Sequence, residues 1–259
     1  MKQGFAEIAS GQLHYLVEGK GQPLVLLHQV PSWAKEYSNI MPELGKHFKV
    51  IAVDNTGYGV SDPRRSFYQV ADYARDVKDF LGALGIKKCH LFGHHTGASI
   101  AVEVAAAYPE MVDGMVLSGC PYYTREMREN RLKTGAFAPP QLMADGSHLT
   151  TAWNTIKKYT PSATAEMLNE MVIARLLAGQ RGEEGHQALL QYDIETRLPM
   201  IKCPTLLFSA STDTFVGQIE TLSRLIPNCR TRVEPGDGLI TYTNPALLVR
   251  VILDFFKQA

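Results

Sequence analysis

Apolar residues follow two different periods along this chain, and the alternation between them predicts the architecture. Residues 23–28 and 50–54 are almost continuously apolar, which is typical of strands buried on both faces of a sheet. Between residues 70 and 84 the apolar positions recur at helical spacing instead, and Gly85 marks the end of that helix. Strands that alternate with helices in this way indicate an α/β protein with a mostly parallel, doubly wound sheet.

The same two patterns place the remaining elements of the sheet and its flanking helices. A loop over residues 28–33 is followed by a predicted amphipathic helix that ends near His47. The other predicted strands lie at residues 4–9, 12–17, 88–93, 112–118, 204–209 and 231–233, and the other predicted helices at 98–107, 216–226 and 244–256.

Strand signals are missing from a long central segment. Helical patterns occupy it near residues 125–135, 150–159, 164–179 and 183–192. We therefore expect an α/β core over residues 1–120 and 199–259, with a helical cap over 121–198 inserted after the sixth strand. Such a cap would cover the carboxyl ends of the strands, which is the edge where open α/β sheets bind ligands.

Composition limits the classes of partner. Among 259 residues, 26 Lys and Arg balance 26 Asp and Glu, so no net charge would attract nucleic acid or an anionic membrane. The first residues lack a long apolar signal region, and the four cysteines lack CxxC spacing. We expect a cytoplasmic protein with reduced thiols and a small-molecule substrate. The sequence leaves a homodimer open.

One short segment, Gly93-His-His95-Thr-Gly97, carries the most specific chemical signal. An apolar strand ends there, and an Ala-rich helical pattern begins directly after it. The glycines have the spacing of the nucleophile elbow, G-x-Nuc-x-G, in which the central side chain is held exposed at the end of a sheet. His95 stands at the position where Ser would be ordinary, so any chemistry here must differ from that of a serine hydrolase.

Five motifs in the same order make the chain resemble the α/β-hydrolase superfamily over nearly its whole length, in the branch of esterases, C–C hydrolases and epoxide hydrolases. The family has L-H-G-x-P where this chain has residues 26–31, D-x-x-G-x-G-x-S-D at 54–62, the elbow at 93–97, the acid loop G-x-x-D at 210–213 and P-x-x-x-x-x-x-I-x-x-F near its end. The resemblance implies the α/β-hydrolase fold with a cap after strand 6.

The resemblance also implies a catalytic triad in the chain order Ser, Asp, His, and this sequence departs from it twice. His95 replaces the nucleophile, and the slot of the family's base His falls on Asp237 or Gly238. Asp213 occupies the acid slot. What can assemble is a His–Asp dyad in which Asp213, slightly favoured, or Asp237 orients His95 as a general base. The alternatives are that His95 is a relic and that Asp213 caps a helix.

The oxyanion hole implied by the resemblance consists of the backbone amides of Val30 and Thr96. Gln29 replaces the usual Gly and could donate from its side chain, or could be a solvated loop residue. His28 and His94 are expected to be structural. These histidines lack metal-ligand spacing, so no metal is predicted, and no cofactor is implied.

Aromatic side chains are expected to roof the pocket, which would suit an apolar or aromatic substrate, although ordinary cap packing explains any one of them. The expected roof comprises Trp33, Tyr58, Tyr122, Tyr123, His148, Trp153 and Tyr159. Besides Gln29, five of them are predicted to bind substrate: Trp33, Tyr122, Tyr123, His148 and Trp153.

Three functions remain open on the sequence. His95 could activate water against an ester or lactone, which is slightly favoured because hydrolysis is the commonest chemistry of the superfamily. It could instead take a proton from the substrate itself in a cofactor-independent lyase, decarboxylase or isomerase. A chain that lacks both the nucleophile and the base of the triad could also be a non-catalytic receptor.

Overall fold

The computed structural model describes residues 1–257 and contains an eight-stranded sheet in the order β1-β2-β4-β3-β5-β6-β7-β8. β1 and β2 pair antiparallel, β2 joins β4 antiparallel, and every pairing from β4 to β8 is parallel. The predicted mostly parallel, doubly wound sheet is confirmed. The strands are β1 Lys2–Ile8, β2 Gly11–Glu18, β3 Pro23–Leu27, β4 Lys49–Val53, β5 Cys89–His94, β6 Val112–Ser118, β7 Thr205–Ala210 and β8 Cys229–Glu234.

Helices cover both faces of this sheet. They are α1 Met41–Leu44, α2 Val70–Ala83, α3 Thr96–Ala107, α4 Arg125–Lys133, α5 Ser147–Tyr159, α6 Ala165–Ala178, α7 Glu184–Leu190, α8 Ile219–Leu225, α9 Ile240–Thr243 and α10 Pro245–Phe256. Alternate residues of β3 face opposite sides, as strand geometry requires. Val25 and Leu27 join the apolar cluster that packs on α2 and α3, whereas Leu24 and Leu26 join the one that packs on α1 and α10.

The predicted long helix before His47 is wrong. A 3-10 turn over Ala34–Tyr37 is followed by the four-residue helix α1. Pro42 lies in the first turn of α1, where its missing amide hydrogen is harmless. In a helix continuing from the 3-10 turn the same proline would remove a backbone hydrogen bond and clash with the preceding turn. The chain therefore bends here and turns Glu36 toward the interior.

The segment between β6 and β7 is helical throughout its regular structure, from α4 to α7. It is fixed to the loop after β4 by buried polar contacts. The Arg64 guanidinium donates to the Arg181 carbonyl over 2.6 Å and pairs with Glu184. The Tyr58 hydroxyl donates to the Gly182 carbonyl over 3.0 Å. Among residues 1–257, none of the helices has the length and apolar character that crossing a membrane requires.

Candidate active site

His95 lies at a strained corner between β5 and α3. Its backbone angles, φ 47° and ψ −113°, fall in a region that costs on the order of 1–3 kcal/mol for a side chain other than glycine. A Cβ atom on Gly97 would lie 1.9 Å from the Leu27 carbonyl oxygen, so only glycine lets α3 begin this close to β3. The corner therefore displays the His95 side chain at the carboxyl end of the sheet, as the elbow spacing predicts.

Asp213 follows β7 and lies directly against His95. The distance between His95 Nε2 and Asp213 Oδ2 is 2.8 Å, and the Phe215 amide donates to Asp213 Oδ1 over 2.7 Å. Burial alone would raise the pKa of Asp213, but attraction to His95 and these two hydrogen bonds hold that pKa below its usual range. Asp213 is 2% exposed and the His95 ring 18%, so a buried carboxylate orients a ring that solvent can still reach.

Two glycines make room for this pair. A Cβ atom on Gly119 would lie 2.5 to 2.7 Å from the His95 ring and the Asp213 carboxylate. Gly238 lies on the other side, where its Cβ would approach His95 Cε1 to 3.5 Å. The His95 ring therefore packs beside the loop position where the family resemblance expects the base histidine.

Asp237 does not form the alternative pairing with His95. Its Oδ1 accepts from the Leu239 amide and the Thr243 hydroxyl, each over 3.0 Å, and its Oδ2 accepts from the Ser162 hydroxyl. These contacts fix the start of α9 and tie it to the helical segment. The Asp237 carboxylate is therefore engaged by Leu239, Thr243 and Ser162 and not by His95.

His94 packs against the His95 ring from the protein interior. Its ring is fully buried and stacks on the His95 ring at 4.1 Å. Nε2 donates to the Gly238 carbonyl over 3.0 Å, and Nδ1 lies 3.1 Å from the Ser118 hydroxyl. Burial and the adjacent His95 lower the pKa of His94, so this ring is neutral and structural.

The loop after β3 carries the Val30 amide of the expected oxyanion hole. His28 is fully buried, where its Nδ1 donates to the Gln29 carbonyl over 2.6 Å and its Nε2 accepts from the Asn55 amide over 3.0 Å. The Val30–Pro31 peptide bond is cis. Within residues 1–257, neither the Val30 amide nor the Thr96 amide donates to a protein group. Both donors are therefore available to a ligand.

The expected roof residues are only partly assembled. Tyr123 is buried against Phe215, with ring centroids 6.1 Å apart, and Phe215 packs edge-on against His95 at 5.2 Å. The sequence interpretation was wrong to place two of these residues in the roof. Tyr58 is 1% exposed and bound within the loop contacts described above, and Tyr159 is 76% exposed and faces solvent.

The other four expected contact residues have different surroundings. Trp33 is buried, with Lys35 above its ring at 4.6 Å. Tyr122 is half-buried and donates its hydroxyl to Glu195. His148 Nδ1 accepts from the Met143 amide over 3.2 Å, and Trp153 is half-buried on α5. No hydrogen bond connects these four side chains to the His95–Asp213 pair in the described part of the chain.

A small cavity separates the loop after β3 from the helical segment. Its volume is about 60 Å³. Its lining comprises Gln29, Val30, Pro31, Ser32, Ile156, Met171 and Arg175. The cavity places the loop after β3 beside Arg175 of α6, and no local sequence pattern predicts this proximity.

Two functionally placed residues were missed from the sequence. Gly119 has only its position just after a strand as a signal, and Glu36 looks like an ordinary charged residue of an amphipathic helix. No group of three or more His, Cys, Asp or Glu side chains within residues 1–257 has a metal-binding arrangement.

Comparison with known proteins finds relatives in sequence and in structure. Residues 22–145 match the family model described as the alpha/beta hydrolase fold. Human epoxide hydrolase 4 is 36% identical over 115 residues, which are 43% of this chain and 32% of that protein. Haloalkane dehalogenase 2 of Mycobacterium tuberculosis is 34% identical over 108 residues, 41% of this chain and 38% of that one. The chain thus matches only about a third of the length of such curated relatives.

A solved structure of E-2-(acetamidomethylene)succinate hydrolase superposes with a TM-score of 0.82 at 22% identity and covers 99% of both chains. Similarity at that identity shows the fold, and the sequence match to the family model is confined to residues 22–145. By its sheet topology and these comparisons, the chain has the α/β-hydrolase fold.

Proposed function

We propose that this protein is an enzyme in which His95, oriented by Asp213, acts as a general base on a small carbonyl compound. The observation that carries the proposal is the 2.8 Å contact between His95 Nε2 and Asp213 Oδ2 at the strained elbow. Retaining such a conformation is costly, and strain of this kind is concentrated at functional sites. A decayed site would have no reason to keep both the corner and the oriented imidazole.

The contact with Asp213 determines which ring nitrogen of His95 carries the hydrogen. With Asp213 ionised, the neutral His95 ring donates Nε2–H to it, and the lone pair is left on Nδ1. Nδ1 has no hydrogen-bonding partner within residues 1–257, so its lone pair is available to a water molecule or a substrate. This orientation is opposite to that of the standard triad, in which Nδ1 faces the acid and Nε2 faces the nucleophile.

Hydrolysis of an ester or lactone then proceeds without an acyl-enzyme. Nδ1 of His95 takes a proton from water, and the resulting hydroxide adds to the substrate carbonyl carbon. The amides of Val30 and Thr96 donate to the oxyanion that forms. The protonated ring, stabilised by Asp213, returns the proton to the leaving oxygen as the tetrahedral intermediate collapses. The hydrolase and dehalogenase names of the relatives support water as the second reactant.

A second reaction class uses the same groups. If Nδ1 of His95 takes a proton from a substrate carbon, the product is an enolate. The enolate oxygen would accept hydrogen bonds from the same two backbone amides. The free Nδ1 lone pair favours this lyase or isomerase chemistry as much as hydrolysis. An apolar or aromatic substrate is proposed because Phe215 and Tyr123 border the ring of the base.

A substrate panel with matched variants tests the proposal. Esters, lactones and β-keto acids are assayed with the wild type, His95→Ala and Asp213→Asn, and with the exposed-histidine control His47→Ala. We expect the wild type to turn over at least one compound. Its kcat should fall on the order of 10²- to 10⁴-fold in His95→Ala and Asp213→Asn and stay unchanged in the control His47→Ala. Activity that survives His95→Ala contradicts the base, and an inactive wild type favours the receptor function.

A further inference from the structure

Glu36 is a fully buried carboxyl group with no strong partner. It lies on the 3-10 turn Ala34–Tyr37, its exposure is 0%, and neither carboxyl oxygen makes a hydrogen bond of good geometry within residues 1–257. Its single ion-pair neighbour in that part of the chain is His94, with Nε2 4.0 Å from Glu36 Oε1. A buried charge without a partner is so costly that the group neutralises instead.

His94 does not supply the missing counter-charge. Its Nε2 hydrogen is donated to the Gly238 carbonyl, and its burial beside His95 keeps the ring neutral. The other ionisable groups that interact with Glu36 are Tyr242 from α9 and Tyr37 from its own turn, and both phenols stay protonated because burial raises their pKa. Burial likewise raises the pKa of Glu36 to about 8, although Ser32, Gln29 and Thr241 partly oppose the shift.

The position of Glu36 connects two parts of the candidate active site. Gln29 and Ser32, which interact with the carboxyl, flank Val30 in the loop that carries the first oxyanion donor. On its other side Glu36 faces His94, whose ring stacks on His95 at 4.1 Å. A charge on Glu36 would therefore act on the oxyanion loop and on the base together.

We propose that Glu36 is a positioning residue that works as a neutral acid: it packs unionised between the loop of Gln29 and Ser32 and the His94 ring, and so adds no negative charge beside the forming oxyanion. The inference rests on the proposed function of His95. When Glu36 ionises, its charge repels the oxyanion at Val30 and Thr96, so the chemical step slows. The site is thereby limited on the alkaline side by a residue that never contacts the substrate.

A pH–rate profile tests the kinetic part. We expect the wild-type kcat to fall by on the order of tenfold as the pH rises through 8, because a unit charge enclosed near the site repels the oxyanion in a medium of low effective dielectric constant. Glu36→Gln keeps the volume and the neutrality of the side chain, so its kcat should stay level through the same range. The control is Glu43→Gln, an exposed carboxyl of the same segment, which should retain the wild-type profile. An identical alkaline fall in Glu36→Gln overturns the proposal.

Infrared spectroscopy tests the protonation state without relying on activity or on the folding of a variant. The wild type at pH 7 should show the C=O stretch of a protonated carboxyl that disappears reversibly between pH 7 and 9.5, and this band should be missing from Glu36→Gln. A wild type without such a band refutes the neutral acid even if the enzyme is active. If no compound is turned over but the band is present, the proposed function of His95 fails while the neutral acid stands.

Discussion

Replacing Glu36 by glutamine should make the protein more stable at neutral pH, although it removes a buried native side chain. In the unfolded chain the carboxyl has its ordinary pKa of 4.5, whereas burial raises the pKa to about 8 in the folded protein. Between these two values the folded state binds a proton that the unfolded state has released. Wild-type stability therefore falls as the pH rises from 4.5 to 8, and glutamine, which does not titrate, removes that part of the slope.

The size of the effect follows from linkage. Taking up the proton on folding costs about 3.5 kcal/mol at pH 7, at about 1.4 kcal/mol per pH unit above 4.5, and only about 1 kcal/mol at pH 5. Any change in the contacts of the new amide with Ser32 and Gln29 affects stability equally at every pH. The stability advantage of the variant should thus grow by about 2.5 kcal/mol between pH 5 and pH 7.

Urea unfolding at pH 5, 6, 7 and 8 measures this growth directly, with Glu43→Gln as the exposed control from the same segment. The control should show no growing advantage, because its carboxyl is half exposed in the folded state. A constant difference between Glu36→Gln and the wild type across this range would refute the reasoning, because Glu36 would then titrate alike in both states. A gain at pH 7 would also mean that the wild type retains a destabilising residue beside its site. Functional residues often lower the stability of the fold that carries them.

Three further predictions concern the site and its cover. Gly119→Ala should abolish turnover, because the new methyl group overlaps the His95 ring and the Asp213 carboxylate. The control Gly85→Ala has a similar positive φ of 68° but open surroundings, so it should keep its activity and lose only about 1 kcal/mol of stability in thermal unfolding. His95→Ser should lose activity and remain unlabelled by a fluorophosphonate, since no base faces the new hydroxyl, and labelling would show that a base does. Arg64→Ala should lower the free energy of unfolding by about 1–3 kcal/mol, as its buried carbonyl acceptors lose their donor, and a change below 0.5 kcal/mol would contradict this anchoring role.

Local sequence signals correctly predicted the elements that depend on a few neighbouring residues. The continuous apolar runs gave β3 and β4 within a residue, and the Gly-rich corner gave the junction of β5 with α3. The helix expected before His47 failed because its apolar spacing suited a helix while Pro42 required a break. Periodicity reports which faces are buried, but it does not report whether the backbone hydrogen bonds between them can form.

The pairing of His95 needed information that no local pattern contains. Asp213 and Asp237 both follow predicted strands, and both stood in positions that the family resemblance made credible partners. The position of β7 in the sheet brings Asp213 to the elbow across 118 residues of sequence, whereas the Asp237 carboxylate accepts from Leu239 and Thr243. Which carboxylate meets an imidazole is a property of strand order and loop geometry.

The sequence by itself determined that this is a doubly wound α/β protein with a histidine at the elbow, because glycine spacing and hydrophobic period act over a few residues. Only the tertiary structure decided that Asp213 orients that histidine, that Gly119 leaves room for the pair, and that Glu36 is enclosed behind both. The physical reason is that proximity and burial arise from packing among distant segments. The protonation state of a carboxyl depends on what surrounds it and not on its neighbours in the chain.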